Sequence, residues 1–196
     1  LINGKPLIYY ALQAAKKSGV FDQIIINAED ALFERIAQRY KTDFYLRPGA
    51  LVHPATKTDT VMYDFFKHTP CDIAAWVSPI APLQSAQEIR RIMRMFIEQK
   101  LDSLMTVKQE QVHCLYNGAP LNYKRNEIFA QTQDLMPVQC FVYSVMCWRK
   151  EIFVREYEKR GYALLCGKVG YFAVDKFSSI IVKKPEDYLY AGGRQM

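Results

Sequence analysis

The stretch Cys71–Val107, CDIAAWVSPIAPLQSAQEIRRIMRMFIEQKLDSLMTV, decides the fold. It opens on an apolar run over 71–78 that reads as a buried strand. Pro79 and Pro82 then fix φ near −65° and end any ladder, making a rigid corner. Ser85-Ala-Gln-Glu88 is a capping box, the mark of a helix start. The helix that it opens carries Ile89, Ile92, Met93, Phe96 and Ile97 on one face. Asp102–Val107 is strand-like again. Strand, corner, helix and strand with short links predict a mostly parallel α/β sheet with helices on both faces.

The same alternation extends toward the N-terminus. Pro6 and Gly19 bracket a helix whose apolar face is Leu7, Ile8, Ala11, Leu12 and Ala15. Gln23–Asn27 is a short β-branched strand, 30–40 a helix, Asp43–Leu46 a strand, 47–57 a loop and 58–68 a helix. After 108 the rhythm changes. Turn signals at Asn117-Gly118-Ala-Pro120 and β-like runs near 111–116 and 139–147 predict an antiparallel excursion over 109–147, a candidate dimer contact. A helix over 149–160 ends at Gly161. Strands are expected near 163–166, 170–174 and 179–183, with a last helix over 185–191 closed by Gly192-Gly193. The whole of 1–196 reads as one domain.

Half of the residues are apolar, enough for a packed core, and Lys plus Arg exceed Asp plus Glu, 26 against 20. The basic residues form no block, so the +6 charge predicts no nucleic-acid partner. The five cysteines, 71, 114, 140, 147 and 166, lie apart without metal-ligand spacing, which predicts reduced thiols and a cytoplasmic protein. His53, His68 and His113 are isolated and suggest no metal set. No apolar stretch approaches the roughly 20 residues of a membrane span.

In open α/β sheets ligands bind beyond the carboxyl ends of the strands. That rule selects Asn27–Asp30, Arg47–Thr58, Ser78–Gln84 and Thr106–Lys108. The chain contains neither a dinucleotide-binding glycine fingerprint nor a P-loop, and no serine nucleophile elbow.

Several motifs carry a resemblance. LINGKPLI at 1–8, SGVFD at 18–22, IIINAED at 24–30, Leu46-Arg47-Pro48, SPIAPLQ at 78–84, DSLMTV at 102–107, QDLMP at 133–137 and SIIVK at 179–183 occur in order. Together they resemble the acylneuraminate cytidylyltransferases, the CMP-sialate synthetases. The resemblance implies a nucleotide-diphospho-sugar transferase-like fold and transfer of CMP from CTP to a sialic-acid-type acidic sugar, with release of pyrophosphate. It also implies a homodimer and Mg²⁺ as cofactor, while the lack of a span-length apolar stretch predicts no membrane partner.

The departures from the family pattern fall at its polar positions. Two carboxylate positions of the family's S-I-D-I-D segment are Ile181 and Lys183, neither of which ligates Mg²⁺. The corner has Ser78, Ile80, Ala81 and Gln84 where the family has Gln, Thr, Ser and Arg, and the family's Asn-Gly corresponds to Val142-Tyr143. The family's basic signature loop is expected upstream of Leu1.

The candidate catalytic residue is Lys183, an ammonium where a metal-binding carboxylate is expected. Candidate substrate-binding residues are Lys5, Arg47, Ser78, Ala81, Gln84, Gln133 and Tyr143, and Asp175 is a candidate displaced metal ligand. Each also has a plain structural reading: a solvated lysine, a salt-bridged arginine, a glutamine that caps a helix. Two functions stay open, a divergent cytidylyltransferase and a catalytically degenerate relative that binds a nucleotide or sugar or serves as an assembly partner.

Overall fold

The computed structural model describes residues 1–192. Its first unit is α1 (Leu7–Ser18), β1 (Ile25–Ala28), α2 (Leu32–Tyr40) and β2 (Asp43–Leu46). Gly19 ends α1 in the left-handed conformation, φ 65° and ψ 20°, which a residue without Cβ adopts at no steric cost. β1 and β2 pair in parallel, Ile25 opposite Asp43 through Ala28 opposite Leu46. The second unit holds α3 (Thr58–His68), β3 (Ile73–Val77), α4 (Ala86–Glu98) and β4 (Ser103–Glu110). Two short pairing strands, β5 (Leu115–Tyr116) and β6 (Ala119–Pro120), follow. The chain then returns through β7 (Val138–Arg149), α5 (Lys150–Arg160), β8 (Val169–Ala173) and α6 (Pro185–Gly192).

Strands β3, β7, β4 and β8 form one sheet in that order, while β1 and β2 form a separate pair. One face of the larger sheet packs Ala14 of α1 and Ile89, Ile92 and Phe96 of α4 against Leu104, Val145 and Cys147. The other packs Met62 and Phe66 of α3 and Phe153 of α5 against Met105, Met146 and Trp148. The expected two helical layers are therefore present.

Three expectations change. The antiparallel run near 139–147 does not stand off the sheet. It belongs to β7, which lies between β3 and β4 and pairs antiparallel with both. Only the segment between β4 and β7 projects, held by Asn122, whose side chain accepts from Cys114 N and donates to the carbonyls of Val112 and Met136. Residues 179–183 form no strand; Val182 N donates to Ile80 O as a single link, at 2.8 Å. Residues 163–166 form no strand either, since Ala163 and Leu164 donate their amides to Asp59. Gly193, expected to help close α6, lies outside the described residues.

Candidate functional site

The carboxyl end of β3 is the corner Ser78–Gln84. Ser78 N donates to Ser144 O of β7, and two tight turns follow, Ala81 N to Ser78 O and Gln84 N to Ala81 O. These turns fold the corner inward, so Ser78, Ala81 and Gln84 are buried. Ser85 then caps α4, its hydroxyl accepting from Glu88 N at 3.1 Å. Only this half of the capping box forms.

The Glu88 carboxylate is used elsewhere, in a role that the sequence did not reveal. The residue is 1% exposed. Its Oε2 accepts from Gln84 Nε2 at 2.8 Å, and its Oε1 accepts from Asp175 N at 2.9 Å and from Arg91 at 3.3 Å. One buried carboxylate thus joins the corner, α4 and the segment after β8. The position was legible as the third residue of a helix; the burial was not. Gln84 Oε1 and Ser178 Oγ are buried nearby in sequence and have no hydrogen-bond partner among the described residues.

Asp175, the candidate displaced metal ligand, has one carboxylate oxygen committed to a local turn. Its Oδ1 accepts from Phe177 N and Ser178 N, at 2.8 and 2.7 Å, closing a turn. Ile181 packs against the apolar core. Lys183 is exposed, and its amide and that of Lys184 donate to Asp187 Oδ2 at 2.7 and 2.8 Å. These two backbone bonds hold the Asp187 carboxyl below its ordinary value. No group of three or more His, Cys, Asp or Glu side chains among the described residues could hold a metal ion. The Mg²⁺ implied by the resemblance thus has no cluster of three protein ligands among the described residues.

Lys5 and Lys183 are brought to the same end of the sheet. Ile2 bridges Lys5 through paired backbone bonds and packs on Val182, whose amide bonds Ile80 in the corner. Lys5 Nζ lies 5.6 Å from the centre of the Tyr9 ring. Tyr143 adjoins Ser144 at the same corner. It sits where β4 and β7 slip register between Met105 and Val107, and its φ is 57°. A bulky residue at positive φ is uncommon, and such bulges re-aim side chains beside functional sites. Here the bulge leaves Tyr143 49% exposed and stacked on Phe141 at 5.4 Å. Thr106 fixes it from beneath, donating to Val145 O and accepting from Val145 N.

Arg47 ends β2. Its Nε donates to Asn27 Oδ1 at 3.2 Å, another guanidinium nitrogen donates to Asn27 O at 3.3 Å, and Glu29 lies 3.6 Å away. Its side chain is 17% exposed and lines, with Val77 and Pro79, a cavity of about 1090 Å³ between β1 and β3. Gln133 lies apart from this group, exposed in a short turn of the projecting segment, where its carbonyl accepts from Gln111.

The cysteines are all free. Burial pushes the Cys166 thiol up to about 11 and raises Cys147 further, so neither is a ready thiolate. No helix among the described residues is long and apolar enough to cross a membrane.

Comparison with known proteins fits this geometry. A family model described as Cytidylyltransferase matches residues 1–160. The N-acylneuraminate cytidylyltransferase of Escherichia coli O18:K1:H7 (strain RS218 / NMEC) is 24% identical over 178 residues, covering 88% of this chain and 39% of that protein. The chain thus spans about two fifths of that relative's length. Among solved structures, 4-diphosphocytidyl-2C-methyl-D-erythritol synthase from Anaerococcus prevotii DSM 20548 superposes with a TM-score of 0.69 at 12% identity, over 98% of this chain and 90% of that one. A CMP:2-keto-3-deoxy-manno-octonic acid synthetase complexed with CTP gives 0.63 at 11% identity, over 89% and 82%. The likeness to these structures establishes the nucleotidyltransferase α/β fold.

Proposed function

We propose a reaction from one premise: this chain belongs to the cytidylyltransferase family. In our reading it transfers CMP from CTP to an acidic sugar of the sialic-acid type. A sugar hydroxyl oxygen bonds the α-phosphorus, the bond from that phosphorus to the bridging oxygen breaks, pyrophosphate leaves, and the hydroxyl proton passes to solvent. Such transfer depends on positioning and on neutralising phosphate charge.

The observation that carries this reading is the gathering of cations and polar groups at the carboxyl ends of the strands. Lys5 and Lys183 flank the Ile2–Val182 contact at the corner, and Arg47 lines the cavity with Asn27. In this reading Lys183 acts as an ammonium on the phosphates, at a position where the family pattern has a metal-binding carboxylate. Tyr143, exposed on its bulge, offers a ring and a hydroxyl to the base or the sugar. The buried Ser78, Ala81 and Gln84 shape the corner from within.

A homodimer belongs to the same reading. The segment between β4 and β7 exposes Leu115, Tyr116, Leu121, Ile128, Phe129 and Met136, a run of large apolar side chains suited to a second copy. Sedimentation should then give twice the 22.8 kDa of one chain.

Pyrophosphate release from CTP, measured against a panel of acidic sugars with and without added Mg²⁺, tests the activity. Turnover that Lys183→Ala lowers by about a hundredfold or more, as loss of one well-placed charge stabiliser does, is expected. Turnover unchanged by that substitution removes Lys183 from the mechanism. No turnover with any sugar replaces the enzyme with a degenerate relative.

A further inference from the structure

Glu88 is a buried carboxylate with no part in the reaction as proposed, and its bonds close a ring. Gln84 Nε2 donates to its Oε2 at 2.8 Å, and Asp175 N donates to its Oε1 at 2.9 Å. Back from Gln84, the turns of the corner lead to Ile80, whose carbonyl accepts from Val182 N at 2.8 Å. Back from Val182, the chain returns to Asp175 and so to Glu88. The corner and the segment 175–182 are thus fastened to each other at both ends, by a backbone bond at Val182 and by one carboxylate at Glu88.

The segment depends on those anchors. Between β8 and α6 it forms turns but no strand or helix. The turns start at the anchored residue itself: Asp175 Oδ1 accepts from Phe177 N and Ser178 N, and Asp175 O accepts from Ser179 N at 3.1 Å. Lys183 follows directly on Val182, the other anchored residue. The place of Lys183 relative to the corner is therefore set by a short run of turns pinned at Val182 and at Asp175. The pin at Asp175 is mounted on a rigid element. Glu88 lies in the first turn of α4, which Ser85 caps, and Ile89 and Ile92 behind it are fully buried in the core. Loss of both bonds of Glu88 opens the ring on two sides at once.

Length, more than charge, suits Glu88 to this place. Its two oxygens meet donors on two different segments, so Glu88→Asp, one methylene shorter, leaves a donor unmet. Glu88→Gln keeps the reach. Its oxygen accepts from Asp175 N, while its NH₂ faces the NH₂ of Gln84. Gln84 resolves that conflict, because its Oε1 is buried with no hydrogen-bond partner among the described residues. A half-turn of the Gln84 amide brings that oxygen to the new donor and gives a buried acceptor the partner that it lacks.

We propose that Glu88 is a positioning residue for the reaction. Through Asp175 N and Gln84 Nε2 it holds the segment that carries Lys183 against the corner, by its reach and not by its charge. The proposal rests on the reading of Lys183 as an ammonium on the phosphates. At 1% exposure Glu88 is closed off from substrate, so it acts through Lys183. Such action matters because a charge misplaced by about 1 Å costs up to about a hundredfold in rate.

The test compares Glu88→Asp and Glu88→Gln, each in the parent chain and in Lys183→Ala, by pyrophosphate release from CTP and by hydrogen exchange of the Val182 amide. Urea unfolding checks that each variant folds. Glu88→Asp should lower kcat and kcat/KM together by about tenfold or more, the mark of an interaction made in the transition state. Glu88→Gln should keep both close to those of the parent chain. In Lys183→Ala, Glu88→Asp should cost little more, since both changes remove the same interaction. The Val182 amide should exchange about tenfold or more readily in Glu88→Asp and not in Glu88→Gln. If Glu88→Asp does not fold, Gln84→Met takes its place; it opens the ring at one bond and should speed Val182 exchange and lower kcat in the same direction. The proposal is overturned if Glu88→Gln loses as much as Glu88→Asp, if Glu88→Asp costs as much in Lys183→Ala as in the parent chain, or if Val182 exchange does not respond. If no chain, the parent included, releases pyrophosphate, the proposed reaction fails by itself, and Val182 exchange alone decides whether Glu88 holds the segment.

Discussion

The four-stranded sheet and the β1–β2 pair use the same kind of sequence and are held very differently. β4 is bonded on both edges, to β7 and to β8, and its residues Ser103–Val107 are all buried. Large side chains close both its faces, among them Phe96, Phe153 and Trp148, each fully buried. β1, IINA, is more apolar than β4, SLMTVKQE, yet among the described residues it is bonded on one edge and ends after four residues. Its cluster buries just Leu12, Ile26, Ala28 and Ala37. A two-stranded pair is marginal by itself. The difference teaches that apolar composition makes a strand eligible for burial, while paired edges and covering layers determine how firmly it is held. The candidate site straddles both regions: Asn27 and Arg47 belong to the lightly held pair, and the corner and Lys183 to the firmly held sheet.

The largest way to disturb this contrast is to hollow out the firm side. Trp148→Ala removes a ring that is fully buried and whose Nε1 donates to Leu164 O. It should cost about 3–5 kcal/mol in global stability, read from the urea midpoint at unchanged slope. Glu88→Ala comes next. It strips Gln84 Nε2 and Asp175 N of their acceptor inside the protein, at about 1–3 kcal/mol for each orphaned group. Its mark is that the Asp175 amide and the corner lose exchange protection together, while that of β1 does not change.

Ile26→Ala tests the light side. Its direct cost is about 2 kcal/mol, and it should appear mainly as faster local opening of β1 and β2, with a smaller loss in the global urea midpoint. The smallest effect concerns Asp187. Its carboxyl is held below the ordinary value by the amides of Lys183 and Lys184. That contribution is present above the ordinary carboxyl value of 3.8 and is lost as pH falls through the lower folded one. Below about pH 4, the Lys183 and Lys184 amide shifts should move in wild type and stay flat in Asp187→Asn, with little change in overall stability.

Much of this fold was legible because its signals are local. Pro6 and Gly19 around α1, the Ser85 cap of α4 and Gly161 after α5, at φ 77°, act within a turn or two of chain. What was hidden depends on partners far away. Nothing in VQCFVYSVMCWR states that it lies between β3 and β4, since that follows from pairing with residues between 28 (Glu110 with Val138) and 76 (Ile73 with Arg149) positions distant. Ile180-Ile181-Val182 looks like a strand, but its apolar side chains serve helix and core contacts while its backbone follows turns.

The candidate site was legible as a place more than as a set of contacts. The carboxyl-end rule led to the corner and to Arg47. It could not tell that Gln84 turns inward to Glu88, because whether a side chain faces a ligand or the core depends on the turns beneath it. Glu88 itself passed for a helix-start carboxylate, since a charge gives no sign in sequence of being buried.

Native-state hydrogen exchange on residues 1–196, followed at rising denaturant, bears on the contrast without any substitution. The amides of Leu104 and Cys147, in the bonded core of β4 and β7, should exchange only through global unfolding, with a strong dependence on denaturant. The amide of Ile26 should exchange about tenfold or more readily, through a local opening nearly independent of denaturant. If Ile26, Leu104 and Cys147 share one opening free energy and one denaturant slope, the two regions unfold as a unit, and the division of the molecule into a firm sheet and a lightly held pair is wrong.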